Sequence, residues 1–176
     1  MKLNLGCGKE IKEGFINVDI LKDKTVDKSF DFNIFPYPFE DNTFDYIYSR
    51  NVLEYPKEPI KVINELHRIS KNKAIIEIIV PHYRSSSAWS DILSNSWFSE
   101  FSLKSIFFGS ITNLKTLENN KFKFISLKKK HSILFKYFPN FILYVLKKYL
   151  NNVYSLMTIK VMVIKQDEKD SNPVVI

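Results

Sequence analysis

An α/β fold is predicted: one doubly wound sheet, mostly parallel, with an antiparallel last strand. Three features predict it. The chain opens with two short apolar strands around a Gly-x-Gly turn, Lys2-Leu3-Asn4-Leu5-Gly6-Cys7-Gly8 and then Phe15-Ile16-Asn17-Val18-Asp19. A strand–helix–strand pattern follows over residues 44–80. Late in the chain, residues 158–164 alternate apolar and polar side chains, as a strand with one buried face does.

Each element can be justified in order. Residues 2–6 and 15–19 read as buried parallel strands, but after the Gly6-Cys7-Gly8 turn only residues 9–14 lead to the second. A parallel crossover usually needs about a dozen residues or more. Six reach at most about 20 Å when fully extended, so a bare loop or a single turn is expected in place of the first helix. Residues 26–31 form a short third strand ending near Asp31, and 35–42 a proline-stiffened loop closing on an Asp-Asn turn. Strand four covers 44–49. A helix covers 57–69: Pro59 suits its first turn, Ile60, Ile63, Leu66 and Ile69 make one stripe, and His67, Arg68 and Lys71 complement its C-terminal dipole. The nearly continuous apolar run 74–80 suits a central parallel strand. Residues 82–98, rich in Ser and Trp, have no sustained period and are expected to form a mobile loop or lid on the substrate side. A short helix at 99–108 and strands at 122–128 and 158–164 follow, the last as an antiparallel edge. An apolar, basic helix is expected at about 140–151. The folded domain is expected over 1–166, with 167–176 a disordered tail.

At 176 residues and 45% apolar content the chain suits a single globular domain, able to bury roughly 70% of its unfolded surface. The net charge of +7 is uneven. Residues 1–60 are near neutral, and the excess lies later, at Lys121, Lys123, Lys128, Lys129, Lys130, Lys136, Lys147 and Lys148. The apolar stretch 133–150 is interrupted by Lys136, Pro139, Asn140, Lys147 and Lys148, so it does not suit a bilayer span. It holds more apolar residues than one core stripe needs. It suits a membrane interface, or a sheet cover with a homodimer contact. A strand beginning at Lys2 leaves no room for a secretory leader, and the lone Cys7 cannot form an internal disulfide, so a cytoplasmic protein is expected. Three scattered histidines and one cysteine argue against a metal site. The run Lys128–Lys130 lacks interleaved aromatics and no Asn-Pro-Pro-Tyr-like motif follows strand four, so nucleic acid is not an expected partner.

The chemistry is expected at the first turn. Glycines at positions 6 and 8 let the backbone approach a ligand with no Cβ in the way. Asp19, an acid ending an apolar strand beside that turn, has little structural reason to be there, and it can accept from both hydroxyls of a ribose. Together they make half of a nucleoside pocket at the carboxyl edge of a parallel sheet. A dinucleotide site fits poorly: the third glycine position holds Ile11, and Asp19 comes thirteen residues after Gly6 rather than about twenty.

These residues resemble motif I of the class I S-adenosylmethionine-dependent methyltransferases. They are most similar to the small type 11-like members reading Leu-Asn-Leu-Gly-Cys-Gly and then Asn-Val-Asp. The resemblance extends through the proline-rich segment 35–47, Ser49-Arg50-Asn51-Val52-Leu53-Glu54-Tyr55 and the exit of strand five, Val80-Pro81-His82-Tyr83. It covers about residues 2–83. It implies a Rossmann-like methyltransferase sheet with an abbreviated first crossover, and S-adenosyl-L-methionine as cofactor. By that resemblance Gly6 and Gly8 pack against the methionine part, with Cys7 and Ile20 beside them. Asp19 holds the ribose and Asp31 meets the adenine edge. Ser49 and Asn51 floor the pocket near the methyl group. His82, Glu54 and Tyr83 are the candidate bases, His82 first because it can be neutral at pH 7.

The sequence also departs from that pattern. Asn51 and Tyr55 stand where relatives carry the histidines of Ser-x-His-Val-Leu-Glu-His. Asp91-Ile92-Leu93-Ser94 replaces Asp-Pro-Thr-His, and Ser70-Lys71-Asn72-Lys73 replaces a Pro-Gly-Gly turn. The implied activity is methyl transfer to a small-molecule, glycan or lipid-linked acceptor. The departures leave open a degenerate cofactor-binding partner subunit, and the basic half leaves nucleic-acid methylation as a weaker third reading.

Overall fold

A computed structural model describes residues 1–108, 121–131, 137–143 and 154–165. Its elements are β1 (Lys2–Leu5), β2 (Ile16–Asp19), β3 (Lys28–Ser29), β4 (Phe44–Arg50), α1 (Pro59–Ile69), β5 (Ser70–Pro81), a 3-10 turn (Ser86–Ala88), α2 (Glu100–Phe108), β6 (Phe122–His131) and β7 (Tyr154–Val163). They form one sheet in the order β3-β2-β1-β4-β5-β7-β6. The pairs β1–β2, β1–β4, β2–β3 and β4–β5 are parallel, while β7 runs antiparallel to both β5 and β6.

Period-two alternation builds the core face. Leu3, Leu5, Ile47, Ile76, Ile78, Val80, Ile159 and Val161 are buried there with Val62, Ile63, Leu66 and Ile69 of α1 and Leu103 and Phe107 of α2. Pro59 opens α1 without a side-chain cap. The Ser70 hydroxyl closes the helix by donating to the Leu66 carbonyl at 2.6 Å. The proline-rich loop is held against this face by Arg68. Its guanidinium donates to the Phe39 and Tyr37 carbonyls at 2.9 and 3.0 Å and pairs with Asp41 and Glu65, each at 2.7 Å.

The short first crossover is a loop, as expected. Two buried asparagines hold it. The Asn4 amide donates to Glu10 O at 2.8 Å and to Asn17 Oδ1 at 2.9 Å. That Asn17 oxygen also accepts the Lys12 N–H at 2.9 Å, and the Asn17 amide donates to Lys12 O and Phe15 O, both at 3.1 Å.

Two expectations need correction. β7 is not an edge strand; β6 takes the edge. Alternation reports which face of a strand is buried, and says nothing of what lies beside it in the sheet. Strand five also begins at Ser70, because a register shift lets Phe44 pair with Ser70 before Tyr46 pairs with Ile75. The segment 133–150, expected as a helix touching a membrane or a second copy, lies outside the described residues except for 137–143, where residues 140–143 make one helical turn. The tail 167–176 also lies outside them.

Candidate functional site

The turn after β1 is set by close approach. Gly6 has φ +69°, and a Cβ there would sit 2.0 Å from Val52 Cγ2. Only glycine fits, for reasons of both conformation and space. The N–H groups of Gly6 and Cys7 both donate to Val18 O at 2.9 Å, which fastens the turn to β2. Cys7 is buried, and burial followed by the nearby Asp19 charge raises its thiol pKa, so it is a packing residue rather than a nucleophile. Next, the Gly8 N–H donates to Asp19 Oδ2 at 2.8 Å, and the Leu21 N–H donates to Asp19 Oδ1 at 3.1 Å. The carboxylate is therefore aimed by two amides. It keeps lone pairs for a ligand, since an ionised carboxylate accepts about four hydrogen bonds.

These residues open onto a cavity of about 690 Å³ at the carboxyl edge of the sheet. Among the expected cofactor residues Gly6, Cys7, Gly8, Asp19, Ile20, Asp31 and Asn51 line it, and Ser49 does not. Ser49 sits in β4 with its side chain buried on the core face. Asn51 follows in the left-handed region at φ 52°, a conformation asparagine tolerates better than most residues.

None of the three expected bases lines the cavity. His82 is 3% exposed. Its Nδ1 accepts the Arg84 N–H at 3.2 Å, which leaves the proton on Nε2 to donate to Glu100 Oε2, also at 3.2 Å. Burial pushes the His82 pKa down, against the pull of Glu100. This histidine pins the exit of β5 to the start of α2. Tyr83 packs on its ring, with centroids 4.8 Å apart. Glu54 is 4% exposed, and its Oε2 has no hydrogen-bond partner among the described residues. Burial, with the nearby Asp91 charge, raises its pKa to about 7.

The far end of the cavity holds residues the sequence did not single out as site residues. Tyr55 donates through its hydroxyl to Asp91 Oδ2 at 2.8 Å, and both line the cavity with Leu93. Asn95 and Ser96 donate backbone N–H groups to Glu54 O at 2.8 and 3.0 Å, which fastens the segment after β5 to the turn after β4. A signal existed: Tyr55 and the Asp91 tetrapeptide were two separate departures from the family pattern, and they meet. Arg50 adds an ion pair to Glu10 at 3.1 Å across the cavity wall.

Residues 7–78 match the family described as a methyltransferase domain. An uncharacterized protein of Methanocaldococcus jannaschii is 32% identical over 93 residues, which are 53% of this chain but only 36% of that relative's own length. A S-adenosylmethionine-dependent methyltransferase structure from Archaeoglobus fulgidus is similar to it with a TM-score of 0.61 at 18% identity, covering 92% of this chain and 85% of that one. A chain from the complex formed by the Haloferax volcanii Trm112 methyltransferase activator is similar with a TM-score of 0.64 at 13% identity, covering 94% and 82%. At these identities the structural likeness is one of fold.

Proposed function

We propose that this domain transfers the methyl group of S-adenosylmethionine to a small-molecule, glycan or lipid-linked acceptor that enters beside Tyr55 and Asp91. The observation carrying this is how the first turn spends its donors. A pyrophosphate needs free backbone N–H groups at such a turn. Here Gly6 and Cys7 give theirs to Val18 O, and Gly8 gives its own to Asp19. Four carboxylates, Glu10, Asp19, Asp31 and Asp91, line the same cavity. That donor set fits a cofactor with cationic groups and ribose hydroxyls, and the bare Gly6 lets Val52 pack directly against the turn that lines the cavity.

When bound, the cofactor supplies a methyl carbon activated by a positively charged sulfur. The chain's own work is alignment. Asp19 fixes the ribose end, Asn51 and Val52 floor the middle, and Tyr55, Asp91 and Leu93 set the acceptor's approach. Such orientation supplies up to about 11 kcal/mol of rate acceleration. Transfer would form a bond between the acceptor heteroatom and the methyl carbon as the carbon–sulfur bond breaks, and Asp91, which lines the cavity, would take any proton released. The Leu93 amide and then the Tyr55 hydroxyl hold the Asp91 pKa below the usual carboxylate range, so it is a weak base. Carboxylate and neutral amine acceptors ask least of it.

A second reading, a cofactor-binding partner subunit, is favoured by His82 standing outside the cavity. The similarity to a chain from an activator complex is in keeping with it. Calorimetric titration with S-adenosylmethionine and with its demethylated product tests the first reading. Binding of both is expected. Preference for a nicotinamide dinucleotide would overturn the assignment, and binding without turnover on any acceptor class would favour the second reading.

A further inference from the structure

The mouth of the cavity is unusually apolar. On one side stands the segment after β5, where Ile92 is 97% exposed, Leu93 70%, Trp89 62% and Trp97 43%. The two indoles stack with centroids 4.8 Å apart. Their N–H groups are already satisfied, Trp89 by Tyr83 O at 2.6 Å and Trp97 by Ala88 O at 2.9 Å. The outer faces of the rings are therefore presented as apolar surface. Ile20, which lines the cavity, is exposed as well, as are Leu21 and Ile34. Ile20 and Leu93 each line the cavity and stand on its rim. An exposed apolar patch of this extent marks an interaction surface.

At its β6 end, away from the four carboxylates that line the cavity, the same sheet edge carries positive charge. The register sets Lys130 beside Leu156 and Leu156 beside Pro81, so the end of β6 lies level with the exit of β5. Lys128 and Lys130 are exposed there.

We infer that this rim docks on an anionic lipid surface, so that the acceptor reaching Leu93 is anchored in that surface by an apolar chain. The inference rests on the cavity being the methyl-transfer site. A protein seated on the rim would close the mouth that Ile20 and Leu93 share with the cavity. A lipid layer covers the same apolar residues and delivers an acceptor through them. Exposed lysines at one end of the sheet edge that also carries exposed Trp, Ile and Leu side chains suit anionic headgroups over acyl chains.

The chain has two tryptophans, and both lie in this patch. Their fluorescence therefore reports on the proposed contact directly. The test titrates the full chain with vesicles of phosphatidylcholine and phosphatidylglycerol at low salt. A blue-shifted emission and protection from an aqueous quencher are expected, reversed by salt as the lysines are screened. Ile92→Asp should lose about tenfold or more of the partitioning, because one fully exposed isoleucine no longer enters the apolar phase. It should keep its circular dichroism spectrum and its S-adenosylmethionine affinity. Equal binding to pure phosphatidylcholine would overturn the role of the lysines. A blue shift that tracks protein concentration without lipid would mark a self-contact and overturn the docking. No shift with any vesicle, while calorimetry still shows cofactor binding, would overturn the docking and leave the cavity reading standing. Vesicle binding without cofactor binding would leave the rim as a lipid contact and remove the cavity reading beneath it.

Discussion

Gly6→Ala separates two costs that the structure places on one atom. The left-handed backbone at φ +69° charges a non-glycine residue about 1–2 kcal/mol. The added Cβ would also lie 2.0 Å from Val52 Cγ2, well inside contact distance, and Val52 is itself buried. Overpacking of that kind costs about 1–3 kcal/mol, so the single variant should lose about 2–5 kcal/mol in all. Val52→Ala removes the colliding methyl and leaves the backbone strain. In Gly6→Ala/Val52→Ala the overlap is relieved, and the double variant should be less destabilised than the sum of the singles by about 1–3 kcal/mol. Urea denaturation of the four proteins gives this coupling, with an unchanged slope confirming that the native state stays compact. Strict additivity would show that Gly6 and Val52 do not meet. A Gly6→Ala protein within about 0.5 kcal/mol of the parent would refute both terms, and with them the reading of Gly6 as a position that only glycine fits.

Three further outcomes are expected. Asp19→Ala should weaken S-adenosylmethionine binding by about 1.5–3 kcal/mol, as hydrogen bonds to a charged group do, with Asp19→Asn losing less; unchanged calorimetric affinity would remove Asp19 from the site. Glu54 keeps its proton in the folded state up to about pH 7, whereas the unfolded chain releases it near pH 4.5, so the folded state binds more protons between these values. Stability should therefore fall as pH rises through that window, by up to about 3 kcal/mol, and Glu54→Gln should flatten the profile; a parent profile rising over that range would contradict this. Asn17→Ala should cost about 1–3 kcal/mol by leaving the Asn4 amide and the Lys12 N–H without their acceptor; full stability by thermal unfolding would show the loop is held some other way.

The sequence made the local features legible. The Gly6–Gly8 turn, Asp19, the helix opened by Pro59 and the bare first crossover all follow from residue type and spacing over a few positions. What it hid depends on distant partners. The Tyr55–Asp91 bond joins residues 36 apart in sequence. His82 looked like a loop base until Glu100, on a later helix, was seen to hold it. The interior position of β7 was hidden for the same reason, because a strand's pattern carries the burial of its faces and not the identity of its neighbours. Asn4 and Asn17 did leave a trace. They are polar residues in otherwise apolar strands, and they prove to be direct cross-strand partners.

That pair explains how the sheet does without its first helices. In a doubly wound sheet the β1-to-β2 and β4-to-β5 connections travel in opposite directions with the same hand, so their helices belong on opposite faces. α1 covers one face. The connections before β4 contain no helix, so the other face needs a different solution. It is made polar instead. Tyr46 donates to Glu77, Lys160 pairs with Glu77 at 2.8 Å, and the Lys12 ammonium lies 4.1 Å from the centre of the Tyr48 ring. The loop hung on Asn4 and Asn17 closes the rest. Its residues Gly8, Lys9 and Glu10 also line the cavity. The asparagines that replace a helix therefore also set the shape of the cavity, and the stability of the fold and the form of that cavity are tied through the same few hydrogen bonds.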